Sequence, residues 1–306
     1  MRITFIGSGE LGVPTLRKLV GKHEIIDVFT QPDRPAGRGY KLKVTPIKEV
    51  AGELSLSIRQ PENINSEEVL KYIKESNPDV IVLAAYGKIL SSKLLKIPRL
   101  GSVNLHASLL PKYRGAAPIH WAIIKGEKVT GVTTFLMDEG MDTGPLLLQR
   151  EVAIDEEDTV DSLGEKLAQV GADLVMETLE GLERGTLTPR PQDNSQATYA
   201  PKLKREDGKI NWSKDAKEIF NFIRGTNPFP GAFTFYENKR LKVHKSCVTK
   251  GEFKGEAGEV VDVSKFVVKA GKGALELLEV QPEGKKVMSG ADFIHGYRVK
   301  VGKRFE

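Results

Sequence analysis

The sequence predicts an α/β fold: a doubly wound, mostly parallel sheet followed by a small C-terminal β-barrel of OB-like type. Three observations carry that expectation. Strand-like runs at residues 2–6, 25–29, 79–85 and 101–105 alternate with helical patterns near 11–20, 46–53 and 66–75, the alternation that builds parallel sheets. Residues 186–206 are poor in apolar side chains and hold Pro189, Pro191 and Pro201, which reads as a connection. Beyond it the texture changes to short strand-like runs at 232–236, 240–248, 258–263, 265–270 and 274–280, as in a small β-barrel. The expected division is a catalytic domain over 1–188, a linker over 189–206 and a barrel over 207–306.

Each element has a local reason. Residues 2–6 form an apolar strand, and Gly7-Ser8-Gly9-Glu10-Leu11-Gly12 follows as a tight turn into a helical pattern carrying Leu11, Leu16, Leu19 and Val20. Residues 130–136 and 146–153 read as two further strands flanking a turn at Gly140–Gly144. A long helix is expected over 159–184. Asp158 or Thr159 caps it, Val160, Leu163, Leu167, Val170, Leu174 and Leu179 keep helical spacing, and Gly185 stops it. Glu-Asn-Lys at 237–239 and Gly-Lys-Gly at 271–273 suit hairpin connections.

Composition excludes several classes. The single cysteine, Cys247, rules out an internal disulfide and any zinc site built from several cysteines. The N-terminal apolar run is too short for a signal peptide, and no segment approaches the roughly 20 apolar residues that span a bilayer. The expectation is a cytoplasmic protein without membrane contact and with no obligate protein partner. The formal charge of +5 is uneven: residues 203–306 hold 21 Lys+Arg against 14 Asp+Glu. A basic last third suits a polyanionic partner, and equally a solubilising surface.

The chemistry concentrates between residues 103 and 144. Asn104 and His106 sit two apart at the end of an expected central strand, so both side chains leave the same face. Ligand sites in open α/β sheets lie beyond such strand ends. A loop with Pro111 and Gly115 follows and is placed to wall a pocket, and Asp142 adds a carboxylate from the Gly-Met-Asp-Thr-Gly turn. An amide, an imidazole and a carboxylate brought together suit attack of an amine on an acyl carbon. Two rival motifs are weaker. The glycine turn at 7–12 has the form of a dinucleotide fingerprint, but Asp27, at the right distance for a ribose, lies inside its strand rather than at the tip. Asp142-Thr143-Gly144 has the form of an aspartic-protease turn, but that chemistry needs two such carboxylates.

The connection from Gln31 to Pro46 is long for a strand-to-helix loop. It carries Arg34, Arg38, Lys41 and Lys43, with Lys48 just beyond, around Tyr40. Cations beside an aromatic ring suit phosphates and an unstacked base, and a plain solvated loop remains the alternative.

Together, Asn-Leu-His-Ala-Ser-Leu-Leu-Pro-Lys-Tyr-Arg-Gly-Ala-Ala-Pro at 104–118, the Asp142 turn, Pro-Asp-Arg-Pro-Ala-Gly-Arg-Gly at 32–39 and the basic tail resemble the folate-dependent formyltransferases. Among them, the chain is similar to the methionyl-tRNA formyltransferase family over nearly its whole length. The resemblance implies 10-formyltetrahydrofolate as formyl-donating co-substrate, no metal, and initiator methionyl-tRNA as acceptor, in translation initiation. It makes Asn104, His106 and Asp142 the catalytic group, with Asp142 expected to hold His106. Ser108, Leu109, Leu110 and Pro111, with Tyr86, Gly87 and Asp138, would form the folate site. Arg34, Arg38, Lys41 and Lys43 would meet the tRNA, with Arg38 at its acceptor end and the barrel on its body. Formyltransferases acting on amino-sugar nucleotides share the Ser-Leu-Leu-Pro loop and are the nearest alternative. A non-catalytic tRNA-binding protein is the other.

Overall fold

The computed structural model describes residues 1–36 and 41–306, except for the side chains of 35, 36 and 41. The chain divides into two compact units: Met1–Pro118, Val129–Ala153 and Leu163–Ala200 form one, and Ile119–Lys128, Ile154–Ser162 and Pro201–Glu306 the other. Among the described residues no helix is long and apolar enough to cross a membrane.

The first unit is built on a seven-stranded sheet. Its elements are β1 (Arg2–Gly7), α1 (Val13–Val20), β2 (Glu24–Phe29), the hairpin β3 (Arg34–Ala36) and β4 (Lys41–Lys43), α2 (Pro46–Glu53), β5 (Ile58–Arg59), α3 (Glu67–Ser76), β6 (Val80–Ala84), α4 (Ser92–Leu95) and β7 (Ser102–His106). After α5 (Pro118–Ile124) come β8 (Val129–Leu136), β9 (Leu146–Ala153) and α6 (Val160–Glu183). The strand order is β5-β2-β1-β6-β7-β8-β9. The first five strands are parallel, and β8 and β9 run antiparallel. The order reverses direction between β1 and β6, the switch point beyond whose strand ends doubly wound sheets bind ligands.

Local sequence explains the elements. Every residue of β6 and β7 is buried, as expected of strands covered on both faces. Thr45 and Ser66 cap α2 and α3 by accepting from the Lys48 and Val69 amides, and Pro46 opens α2. In α6, Gly171 packs on Leu105 of β7: a Cβ there would lie 2.7 Å from Leu105 Cδ2. The absent side chain lets the helix close on the strand that bears Asn104 and His106.

The second unit holds a six-stranded antiparallel sheet. α7 (Ala216–Thr226) precedes β10 (Phe233–Tyr236), β11 (Lys239–Val248), β12 (Val260–Asp262), β13 (Val267–Lys269), β14 (Ala274–Pro282) and β15 (Met288–Ser289), and α8 (Gly290–Tyr297) follows them. The order is β10-β11-β14-β13-β12, with β15 on β14. Its core includes Trp212, Ile219, Phe220, Ile223, Phe266, Leu275, Phe293 and Phe305. Sequence patterning anticipates β10 to β14 and passes over β15 and both helices, each of them short. The helices carry capping residues: Asp215 with Glu218 at α7, and Ser289, which accepts from the Asp292 amide, at α8.

The units do not follow a single cut in the sequence. α5 and residues 154–162 group with the second unit, where Trp121 Nε1 donates to Pro201 O (2.8 Å) and Arg224 donates to the Asp155 and Asp158 carbonyls (3.1 and 2.9 Å). Residues 190–200, within the expected linker, are strapped to the first unit. Arg190 and Leu146 exchange two backbone hydrogen bonds (2.7 and 2.9 Å), and Arg114 N donates to Thr198 O (2.9 Å) while Ala200 N donates to Arg114 O (2.7 Å).

Filling the Gly171 contact should loosen the unit. We expect Gly171→Val to cost about 1–3 kcal/mol through overpacking against Leu105, read as a lowered urea midpoint with an unchanged slope.

Candidate active site

β7 lies between β6 and β8, so its side chains, not its edges, are available for chemistry. Asn104 and His106 are each 7% exposed. His106 Nε2 lies 3.0 Å from the Tyr113 carbonyl oxygen. A carbonyl can only accept, so Nε2 carries the proton, and the neutral ring leaves Nδ1 as an acceptor. Nδ1 faces Asp142 Oδ2 at 3.8 Å, too long for a hydrogen bond but close enough for the carboxylate to attract a proton arriving on the ring.

Asp142 reaches this point by an indirect route. β8 runs antiparallel to β7, so the chain leaves β8 beside the start of β7, where Met137 N donates to Ser102 O (2.8 Å). The loop then folds back toward His106. Asp138 fastens it, its Oδ1 accepting from Gly140 N (3.0 Å) and Thr143 Oγ1 (2.7 Å). Asp142 sits at φ +54°, a left-handed conformation that Asp tolerates better than most residues. A Cβ on Gly144 would collide with the Leu136 carbonyl.

The group that holds His106 differs from the expectation. The Tyr113 carbonyl, rather than Asp142, grips the imidazole, and Asp142 Oδ2 accepts from Gly115 N (2.8 Å). Asn104 Oδ1 is buried with no hydrogen-bond partner. An unpaired buried oxygen costs about 1–3 kcal/mol. A half-turn of the amide exchanges its donor and acceptor ends.

The structure sorts the expected folate residues into frame and surface. Ser108 is fully buried and donates to Lys112 O (2.6 Å), while its own carbonyl accepts from Thr133 Oγ1 (2.6 Å). Leu110 is buried with Phe135 and Leu146. Its amide donates to Thr133 Oγ1 (3.1 Å), and its carbonyl accepts from Gln149 Nε2 (2.8 Å). Leu109 and Pro111 keep partial exposure. The Tyr86 ring is 1% exposed among Ile6, Phe29, Leu83 and Leu90. Only its main chain and the exposed Gly87 remain to line a site, and Gln31 Nε2 donates to Tyr86 O (2.5 Å).

Of the expected tRNA contacts, Arg34 and Lys43 are exposed and paired across the β3–β4 hairpin, and Lys41 lies on β4. Arg38 lies outside the described residues. Lys48 is engaged elsewhere: its Nζ meets Asp33 Oδ2 at 2.5 Å. That contact, with Gln60, holds the Asp33 carboxyl below its ordinary range.

The dinucleotide reading fails on Asp27. That carboxylate accepts from Ser57 Oγ (2.7 Å), Arg59 Nε (2.8 Å) and Tyr72 Oη (2.7 Å), so it is not available to a ribose. The glycine turn instead packs its backbone on β6: Gly9 N donates to Ala85 O (3.2 Å), and a Cβ on Gly7 would lie 2.8 Å from Ala84 O.

A doubly wound sheet with an amide, an imidazole and a carboxylate at one strand end defines a group-transfer enzyme of the acyl type. The chain belongs to the formyl transferase family: the formyl transferase model matches residues 1–179, and the formyl transferase C-terminal domain matches residues 202–298. Similar relatives include the methionyl-tRNA formyltransferases of Thermodesulfovibrio yellowstonii (47% identical, covering 98% of this chain and 97% of that one) and Caldanaerobacter subterraneus subsp. tengcongensis (46%, 99% of each). Among solved structures, HypX from Aquifex aeolicus in complex with tetrahydrofolic acid shares the fold at 20% identity and a TM-score of 0.66, covering 99% of this chain and 48% of that one. The sugar 3N-formyl transferase WlaRD does so at 20% and 0.66, covering 94% and 99%.

Burial pushes the Tyr86 hydroxyl up to about 12, and Tyr86 Oη has no partner. Tyrosine in the unfolded chain ionises near 10, so the folded chain holds its proton more tightly between these values. This stability is intact below pH 10 and should fall by roughly 2–3 kcal/mol as pH rises toward 12. We expect Tyr86→Phe to remove that increment without destabilising the chain at pH 8, read as the difference between urea midpoints of the two proteins at each pH.

Proposed function

We propose that this chain transfers the formyl group of 10-formyltetrahydrofolate to the α-amino group of methionyl-tRNA, as a cytoplasmic enzyme of translation initiation. The observation that carries the reading is the unpaired amide oxygen of Asn104 beside a His106 whose Nδ1 is an open acceptor facing Asp142. The full-length similarity to methionyl-tRNA formyltransferases supports the choice of acceptor.

The chemistry asks little of a base. A free α-amine has a pKa of about 7.7–8.0, and esterification to tRNA lowers it by removing the neighbouring carboxylate charge. The neutral amine attacks the formyl carbon and gives a tetrahedral centre with a negative oxygen and a positive nitrogen. Asn104, turned so that Nδ2 faces the site, donates to that oxygen. A preorganised donor of this kind acts where charge develops. His106 Nδ1 takes the proton from the attacking nitrogen, because Nε2–H is committed to the Tyr113 carbonyl. Asp142 stabilises the imidazolium that forms. The proton then passes to the folate nitrogen as its bond to the formyl carbon breaks, and the ring returns to neutral. Without that transfer the amine leaves again faster than the poorer leaving group.

Leu109, Pro111, Gly87 and the Asp138 loop would surround the folate, with Ser108 and Leu110 as the frame beneath. Arg34, Arg38, Lys41 and Lys43 would meet tRNA phosphates, and the second unit would meet the tRNA body, which makes binding steeply salt-dependent.

We expect Asn104→Ala to lower kcat by about 10²–10³-fold and His106→Ala by about 10²–10⁴-fold, with both proteins still folded by circular dichroism at the assay temperature. Single-turnover formylation of methionyl-tRNA is the measurement; a His106→Ala protein that formylates at the wild-type rate removes His106 from the reaction.

A further inference from the structure

The mechanism depends on where Asp142 stands, and its own contacts fix only part of that. Gly115 N holds one carboxylate oxygen. The backbone of the turn, left-handed at Asp142, is held from elsewhere, by Gln192 (Gln192 Nε2 donates to both Asp142 O at 2.9 Å and Gly144 O at 2.7 Å). Its Oε1 accepts two hydrogen bonds from Arg114, from Nε at 3.1 Å and from the terminal nitrogen at 2.7 Å. The same guanidinium reaches Asn194 Oδ1 at 2.8 Å.

This arrangement allows one orientation of the amide. A guanidinium only donates, so the oxygen end of Gln192 must face Arg114; two carbonyls only accept, so the nitrogen end must face the turn. Arg114 is 2% exposed, and it lies between the two residues that touch the catalytic side chains: Tyr113 through its carbonyl on His106, and Gly115 through its amide on Asp142. Gln192 therefore ties the turn carrying Asp142 to the segment that holds His106. It touches neither reacting group.

We propose that Gln192, oriented by Arg114, is a positioning residue for Asp142, and that it sets the separation between the carboxylate and His106 Nδ1. The proposal rests on the formyl-transfer reading and deepens it. Losing the amide lets the turn relax from its left-handed conformation and carries Asp142 away from His106. Misplacement of a catalytic group by about 1 Å can lower a rate by up to about 10²-fold. Because the effect passes through Asp142, it should vanish once the carboxylate is gone.

The test is a double-mutant cycle on the full chain. Gln192→Met keeps the volume and removes the amide; Gln192→Asn keeps the amide but is one methylene too short to span Arg114 and the turn, and it serves if the methionine variant does not fold. Each is made alone and with Asp142→Asn, and kcat, KM for 10-formyltetrahydrofolate and for methionyl-tRNA, and melting temperature are measured. We expect kcat to fall about 10–30-fold in the single variant, with both KM values within about threefold of wild type. In the Asp142→Asn background the same change should lower kcat by no more than about twofold. Wild-type kcat in both single variants, or the full loss repeated on top of Asp142→Asn, overturns the role of Gln192. A wild-type chain that formylates no methionyl-tRNA overturns the functional reading instead, so the two failures are told apart.

Discussion

Two backbone groups two residues apart grip the two ionisable side chains of the site. The Tyr113 carbonyl takes the Nε2–H of His106, and the Gly115 amide donates to Asp142 Oδ2. Between them, Arg114 is buried and fixes the amide that ties down the Asp142 turn. Backbone groups are well suited to such a grip, because their position is set by the chain itself and no side-chain entropy is lost in holding the partner. The segment is in turn anchored by residues 198–200, with Tyr113 N donating to Thr198 Oγ1 (2.8 Å) and Ala117 N to Ala200 O (3.1 Å). Gly115 is where this packing demands glycine: its φ is +120°, and a Cβ would lie 2.8 Å from Ala200 O.

From that grip the division of labour follows. With Nε2–H occupied, the imidazole has one free lone pair, and it faces the carboxylate. In the proposed reaction, proton movement is thereby confined to Nδ1. The amide of Asn104, on the same face of β7, keeps an unpaired buried oxygen in the free chain. That unpaired oxygen is a local cost, offset by the buried strands β6 and β7 and by the close packing of Gly171 on Leu105. Rigid neighbours are what allow such a group to persist, since preorganised dipoles work only when they cannot turn away.

Much of this is legible in the sequence, for physical reasons that differ by residue. Asn104 and His106 can be paired because a strand repeats every two residues, and Val103 before them and Leu105 between them mark their strand. Asp142 is visible only as a turn residue, and the sequence does not say that an antiparallel β8 sends that turn back along the face. The groups that hold the pair are not legible, because a carbonyl or an amide carries no residue-type signal. Gln192 is hidden in a stretch that reads as a linker, 50 residues from the turn it holds. Tyr86 shows the converse: its position beside Gly87 suggests a ligand wall, but its ring is in the core. In the second unit, the β-type texture conceals α7 and α8, whose local cues are their capping residues and, in α7, the helical spacing of Ala216, Ile219, Phe220 and Ile223.

The tautomer of His106 tests the arrangement most directly. Nitrogen-15 NMR of the imidazole rings in the free chain, with His106 identified among five histidines by loss of its signals in His106→Gln, reports which nitrogen bears the proton. The neutral ring should show a protonated Nε2 and a bare Nδ1. A ring protonated on Nδ1 would contradict the grip of the Tyr113 carbonyl, and with it the route assigned to the proton.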